Sequence, residues 1–335
     1  MKPIKPDSFE RNPAEAGTAL RAYAIPMIRS QMNGSDWGIL IILALIWGGA
    51  FFLIGVAVRH VTPLTYVWLR LTIAAAAMWA FLGFNGHKLG LPREVWGSIL
   101  LLALLNNALP FTLFGWGQTH IASGLASILN ATTPIWGVVV AHVLTHDERM
   151  SPRKIAGVLL GFGGVATMIG PTLLANIGTD ALAQLACVAA ALCYALAAVW
   201  ARRFRRMGIS PLSVTTGQLT AGAAMMLPLA FIVDRPWAHA LPPLGAWGAI
   251  AGLAIFCTAF GYVLYFRLID RAGATNALLV TLLVPPVAIL LGGLFLGERL
   301  AAQDFLGLGL IALGLAAIDG RALSLFRRAS PPQAA

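Results

Sequence analysis

The sequence predicts an all-α integral membrane protein of ten transmembrane helices, arranged as two inverted five-helix repeats. Three observations carry this: a composition extreme in its apolarity, ten apolar runs of spanning length, and basic residues gathered on alternate loops. Of 335 residues, 59% are hydrophobic and 11% charged, with a mean hydropathy of +0.80. Soluble domains carry about 25% charged residues, so this chain lacks the charge to coat a water-facing surface. At about 20 residues per span, ten helices consume about 200 residues, leaving short loops and no second, soluble domain.

The runs fall at 37–58, 64–82, 95–116, 122–144, 155–173, 181–200, 211–231, 246–266, 275–296 and 305–318. They read as helices, because barrel strands would alternate over about ten residues. With the N-terminus taken as cytoplasmic, 19 of the 23 Lys and Arg fall on inner segments. Arg59, Arg235 and Arg299 fall on outer ones, and Arg70 lies within a span. This positive-inside bias predicts a multi-pass protein of a bacterial-type inner (plasma) membrane with both termini cytoplasmic. It also accounts for the net charge of +10 without nucleic acid, which is not an expected partner. The expected partners are a small-molecule substrate and the lipid bilayer, the protein itself being a monomer or weak homodimer. Cys187, Cys193 and Cys257 fall within spans and read as small buried residues rather than a disulfide framework. Residues 1–35 form a polar tail without a signal-peptide core; Met32, just before Asn33-Gly34-Ser35-Asp36, is a candidate start.

Sliding the chain by 150 residues aligns 122–170 with 272–320 without a gap. Glu148/Glu298, Arg149/Arg299, Gly157/Gly307 and Gly164/Gly314 are among the identities. Five helices per half is an odd number, so the second half enters the membrane inverted. The expected organisation is a tail (1–35), a first repeat (36–173), a second repeat (174–322) and a tail (323–335). Glu148 and Glu298 then lie at opposite faces.

The run Leu45-Ile46-Trp47-Gly48-Gly49-Ala50-Phe51-Phe52 and the stretch from Pro285 to Leu296-Gly297-Glu298-Arg299-Leu300 resemble the EamA-like ten-helix branch of the drug/metabolite transporter superfamily. Pro134 followed by Asp147-Glu148-Arg149 is similar to a first copy of the same signature, with Asp147 where the second copy has Gly297. The resemblance covers about 35–320. It implies a central cavity between the repeats, alternating access, and export of amino acids and related metabolites.

Ionisable residues inside a bilayer are costly and mark function, and here they are nearly absent. No Asp or Glu falls near the middle of a span, which argues against an antiporter of lipophilic cations and favours neutral or zwitterionic cargo. Arg70 stands in the outer half of the second span. It either snorkels to the interface or grips a substrate carboxylate or outer-gate acid. Glu148 and Glu298 are the other charge or gating candidates. Cavity candidates are Asn106 and Asn107 on the third helix and Ser127 and Asn130 on one face of the fourth. Tyr262 on the eighth and Asn276 opening the ninth complete the polar set, with Trp47, Phe51 and Tyr194 as apolar walls. Small polar residues also join membrane helices structurally. Pro110, Pro134, Pro285 and Pro286 each remove a backbone donor and are expected to interrupt helices beside the cavity.

His142 and His146 are four apart beside Asp147 and Glu148, but lack the Glu of a zinc hydrolase. No metal, cofactor or catalytic grouping is expected. A secondary transporter is the leading reading, driven by the proton-motive force or a substrate gradient. Uptake of a vitamin or nucleotide-like metabolite is its rival within transport, and a lipid-modifying membrane enzyme is the rival of another class.

Overall fold

The computed structural model describes residues 33–145, 151–175, 179–272, 277 and 280–319. Glu148, His146 and Asn276 lie outside them. The described chain forms ten long helical elements and no strand. In chain order these are α1 (Gly34–Val58), α2 (Pro63–Phe84), α3 (Arg93–Gly117), α4 (Ser123–Leu144), α5 (Pro152–Ala175), α6 (Thr179–Arg206), α7 (Pro211–Leu229), α8 (Leu244–Ile269), α9 (Val280–Leu296) and α10 (Ala302–Asp319). α1 alone is 25 residues, or about 37 Å at 1.5 Å per residue, enough to cross a hydrocarbon core of about 30 Å. Helices satisfy their own backbone groups, which is why this apolar chain can live in lipid at all.

Local chemistry sets the helix starts. Asn33 and Asp36 form a reciprocal capping box at α1. Pro opens α2 and α7 in the first helical position, where its missing N–H costs nothing. Ser210 caps α7 by accepting from the Ser213 N–H at 3.1 Å.

Packing carries the inverted symmetry. α2 packs on α7, α4 on α9 and α5 on α10, so these three pairs of repeat partners meet; α1 against α9 is answered by α6 against α4. The α5–α10 contact makes this measurable. A Cβ on Gly157 would come within 2.6 Å of the Gly314 carbonyl oxygen, and one on Gly164 within 2.6 Å of the Gly307 carbonyl oxygen. Gly157 and Gly307 are repeat-related, as are Gly164 and Gly314. The contact is thus isologous about a two-fold axis lying in the membrane plane.

Three helices leave the regular α pattern. α3 contains a π-helical turn at Leu104–Ala108, α8 one at Leu253–Phe260, and α7 is continued by one at Ala230–Asp234. The first two occupy repeat-related positions. α4 is divided into Ser123–Asn130 and Thr133–Leu144, with Pro134 in the first turn of its second part. Pro110 likewise opens the segment Leu109–Gly117 directly after the π turn of α3. Pro285 and Pro286 depart from expectation: both sit inside the uninterrupted α9. α1 packs tightly there, with a Cβ on Gly48 meeting the Val284 carbonyl at 2.9 Å, and neighbouring helices of this kind hold a proline-bearing membrane helix in shape.

Candidate functional site

The π turns of α3 and α8 face α7 and α2 and build a polar centre from side chains one helical turn apart. Tyr66 and Arg70 lie on α2, Asn107 and Phe111 on α3, and Thr258 and Tyr262 on α8; each pair is spaced i, i+4 and so shares a face. Arg70 does not snorkel. Its side chain is buried, 5% exposed, and donates from Nε to Thr258 Oγ1 at 3.0 Å and from Nη1 to the Tyr66 hydroxyl at 3.3 Å. Its guanidinium carbon lies 3.7 Å from the centre of the Phe111 ring, a cation–π contact. Among the described residues no carboxylate forms an ion pair with it.

Thr258 hydroxyl in turn donates to the Leu253 carbonyl at 2.8 Å, five residues back, so its lone pairs remain for Arg70. One turn on, Tyr262 receives Asn106 Nδ2 at 3.1 Å and donates to Asn107 Oδ1 at 3.5 Å. Two consecutive residues reach one hydroxyl because both lie in the π turn. The other Asn106 donor goes to Gln218 Oε1 on α7 at 3.1 Å. The result is a polar track through the bundle, with Arg70 and Tyr66 towards one end and Gln218 towards the other.

Aromatic rings flank it. Phe51 meets Phe114 edge-on at 5.4 Å, and Phe114 stacks with Tyr194 at 6.1 Å. Trp47 packs on Tyr265 at 5.2 Å and donates its indole N–H to the Cys257 carbonyl at 3.2 Å. Tyr194 is half-buried and touches both large apolar clusters of the molecule.

Carboxylates act at the ends. Gly297 takes φ +68°, a conformation a side chain would strain, and the chain turns so that the Glu298 N–H reaches the Gly292 carbonyl at 3.1 Å. The Glu298 carboxylate then accepts from the Ser123 N–H at 2.9 Å, the Ser123 hydroxyl at 2.7 Å and the Gly124 N–H at 3.3 Å. A residue between α9 and α10 thus caps α4, where the helix dipole favours an anion. Asp234 does the same for α2, accepting from the Thr65 N–H at 2.8 Å. At the opposite end, buried Asp36 pairs with Arg271 Nε at 2.8 Å, tying the start of α1 to the helical residues that continue α8 to Ala272.

The structure therefore gathers Asn106, Asn107, Tyr262 and Arg70, with Trp47, Phe51 and Tyr194 beside them. Ser127 and Asn130 stay apart from this centre: the Ser127 hydroxyl turns back on the Gly124 carbonyl at 2.6 Å, and the Asn130 carbonyls receive Thr133. Sequence reasoning did not single out Tyr66 or Phe111, although the i, i+4 spacing to Arg70 and to Asn107 was present. The Asp36–Arg271 and Asp234–Thr65 pairs, more than 160 positions apart in the chain, left no sequence signal.

Inverted repeats, discontinuous helices and a polar centre between them define an integral membrane transporter. Known proteins agree. The model of the EamA-like transporter family matches residues 36–170 and again 181–318; the chain belongs to this family. An uncharacterised transporter of Bacillus subtilis, YoaV, is 27% identical over 82% of this chain and 94% of its own. A protein of Streptantibioticus cattleyicolor named "Probable terminal-alkyne amino-acid exporter" is 28% identical over 90% of this chain and 99% of its own. One solved structure covers 89% of this chain and all of its own at a TM-score of 0.61 and 21% identity, a likeness of fold.

Proposed function

We propose that the protein is a secondary transporter of a bacterial-type inner (plasma) membrane that exports amino acids or related small metabolites by alternating access. Both termini face the cytoplasm in this reading, and one chain, holding both repeats, suffices as the working unit. The observation that carries it is the polar track Arg70–Thr258–Tyr262–Asn106–Gln218. It runs where the two repeats meet, on the two helices whose repeat-related π turns break the regular pattern. Irregular backbone at membrane depth is tolerated where it lines a cavity or is held by protein, and substrate sites of inverted-repeat transporters lie at the repeat interface. The exporter among the relatives supports the cargo class, and the basic residues on alternate loops support the orientation.

Purified protein in proteoliposomes, loaded with a panel of labelled amino acids, vitamins and drugs, tests the reading. An amino acid is expected to exchange across the membrane. Asn106→Ala and Tyr262→Phe are expected to reduce that flux, by about 10-fold for each lost buried hydrogen bond worth about 1.4 kcal/mol. If no panel member moves, or both variants transport at the parental rate, the reading fails. Cysteines placed at His120 and at Lys88 are expected to react with an impermeant reagent from opposite sides.

A further inference from the structure

We propose that Arg70 is the binding group for a carboxylate on the transported molecule, so that the cargo is a small carboxylic acid; this rests on the transport reading above. Three features of the polar centre lead there. First, the guanidinium is buried at membrane depth and meets only neutral oxygens and an aromatic face. A buried charge of this kind is costly until an opposite charge joins it.

Second, the unspent hydrogen-bonding capacity here is donor capacity. A guanidinium has five N–H donors. Nε serves Thr258 and Nη1 serves Tyr66, while Nη2 makes no hydrogen bond among the described residues. Asn107 is fully buried and its Nδ2 amide has no acceptor. It stands one turn from Phe111, whose ring carries the guanidinium. The Thr258 and Tyr262 hydroxyls already give their protons to the Leu253 carbonyl and to Asn107 Oδ1. The centre therefore offers several N–H groups and one positive charge, and what it lacks is an anionic acceptor with more than one oxygen. A carboxylate supplies this, and the planar fork of arginine matches it in a bidentate manner.

Third, the repeat-related position on α7 holds Gln218, which is shorter and uncharged and is already bonded to Asn106. The molecule thus places its single described intramembrane cation on one side of the two-fold axis, where the fold itself asks for none.

A purely structural Arg70 would clamp α2 to α8 and have no preference among cargos. The test therefore compares acid with amide on one carbon skeleton. L-leucine, 4-methyl-2-oxopentanoate and L-leucinamide are assayed as competitors of labelled leucine counterflow, and by the thermal shift each gives the detergent-purified protein. In the parental protein the acids are expected to outcompete the amide by about 100-fold or more, since a site built to bond a polar group rejects analogues lacking it. In Arg70→Gln this preference is expected to fall to within a few-fold, and in Arg70→Lys to be partly kept.

Leucine acting without the oxo acid would assign a zwitterion; both acting would assign the carboxylate alone as the recognised group. Equal competition by acid and amide in the parental protein overturns the proposal. So does an Arg70→Gln protein that stays folded and keeps the preference. Acid-selective thermal stabilisation without any flux would retain the carboxylate site and sink the transport reading, whereas flux blind to the carboxylate would do the reverse. Neither flux nor stabilisation by any of the three sinks both.

Discussion

The two halves of the molecule solve the same packing problem with different chemistry. In the first, α2 sends Arg70 to the π turn of α8 and bonds Thr258 at 3.0 Å. In the second, α7 sends Gln218 to the π turn of α3 and accepts from Asn106 at 3.1 Å. Backbone and helix order repeat, while charge does not. In the proposed reading, inverted backbones would let one fold present its centre to either side, and unequal charge would let that centre hold a particular cargo without a second, competing site.

The largest expected effect comes from erasing that asymmetry. Gln218→Arg, with Arg70 retained, places a second cation in the same track with no acid to meet it. An arginine at the centre of a span costs about 2.5–3.5 kcal/mol on insertion scales, and the variant is expected to lose stability of that order. Detergent-extracted protein should melt much earlier or fail to elute as a single species. The exchange Arg70→Gln with Gln218→Arg keeps one cation and is expected to recover most of the loss. Equal stability of the single and double variants would show that the two halves are not charge-sensitive and break the comparison.

Next in size is the contact on the symmetry axis. Gly157→Leu and its two-fold mate Gly307→Leu both push a side chain into a carbonyl of the facing helix, that of Gly314 at 2.6 Å in one case and that of Gly164 at 2.8 Å in the other, with Ile318 and Met168 respectively close by. Overpacking of this kind costs about 1–3 kcal/mol. Because the contacts are two-fold related, the two variants should lose stability to a similar extent in thermal unfolding. A loss confined to one of them would mean that the α5–α10 pair departs from two-fold symmetry where the backbone suggests it holds.

How much of this was written in the chain differs by level. The membrane class, the ten helices and the inversion were legible, because hydropathy, positive-inside bias and the Gly157/Gly307 and Gly164/Gly314 matches are one-dimensional signals. The polar centre was legible in part: Asn106, Asn107, Tyr262 and Arg70 stand out as polar groups in apolar runs. Which of them meet was not, since that depends on π turns that shift the register of α3 and α8, and nothing in Leu104–Ala108 or Leu253–Phe260 announces a π turn. Ser127 and Asn130 show the limit from the other side. Their helical spacing was real, but the Ser127 hydroxyl and both Asn130 carbonyl oxygens are engaged within their own turn, as small polar residues in helices often are. Arg70 looked able to reach the interface, and its stem is long enough. Instead Thr258, Tyr66 and Phe111 hold it inward, a contest that only tertiary packing decides.

Glu298 offers a smaller and more local test. Its carboxylate caps α4 with three hydrogen bonds, whereas the sequence marked it as a charge or gating candidate. Loss of a cap costs about 0.5–2 kcal/mol, so Glu298→Ala is expected to destabilise the protein by about that amount. Glu298→Gln, which retains an acceptor, should lose less. The comparison it sharpens is between end and centre: a cap that merely closes α4 should leave the acid-over-amide preference untouched, while Arg70→Gln should remove it. A Glu298→Gln protein of parental stability that no longer transports would place this carboxylate in the cycle itself.

The smallest effect is expected at Pro285, and the reason lies in a contrast between two prolines. Pro110 directly follows the π turn that carries Asn106 and Asn107, so Pro110→Ala allows α3 to relax towards regular helix and should weaken flux through the polar track. Pro285 sits in an unbroken α9 whose course is fixed by the close approach of α1 at Gly48. A proline costs about 3 kcal/mol in an isolated helix interior, but here the neighbouring helices have already absorbed that cost. Pro285→Ala should therefore shift stability by no more than about 1 kcal/mol, the usual scale of a proline exchange whose conformation both residues can adopt, and leave exchange rates close to parental in the same proteoliposomes. Equal damage from both substitutions would mean that α9, like α3, depends on its proline for exchange.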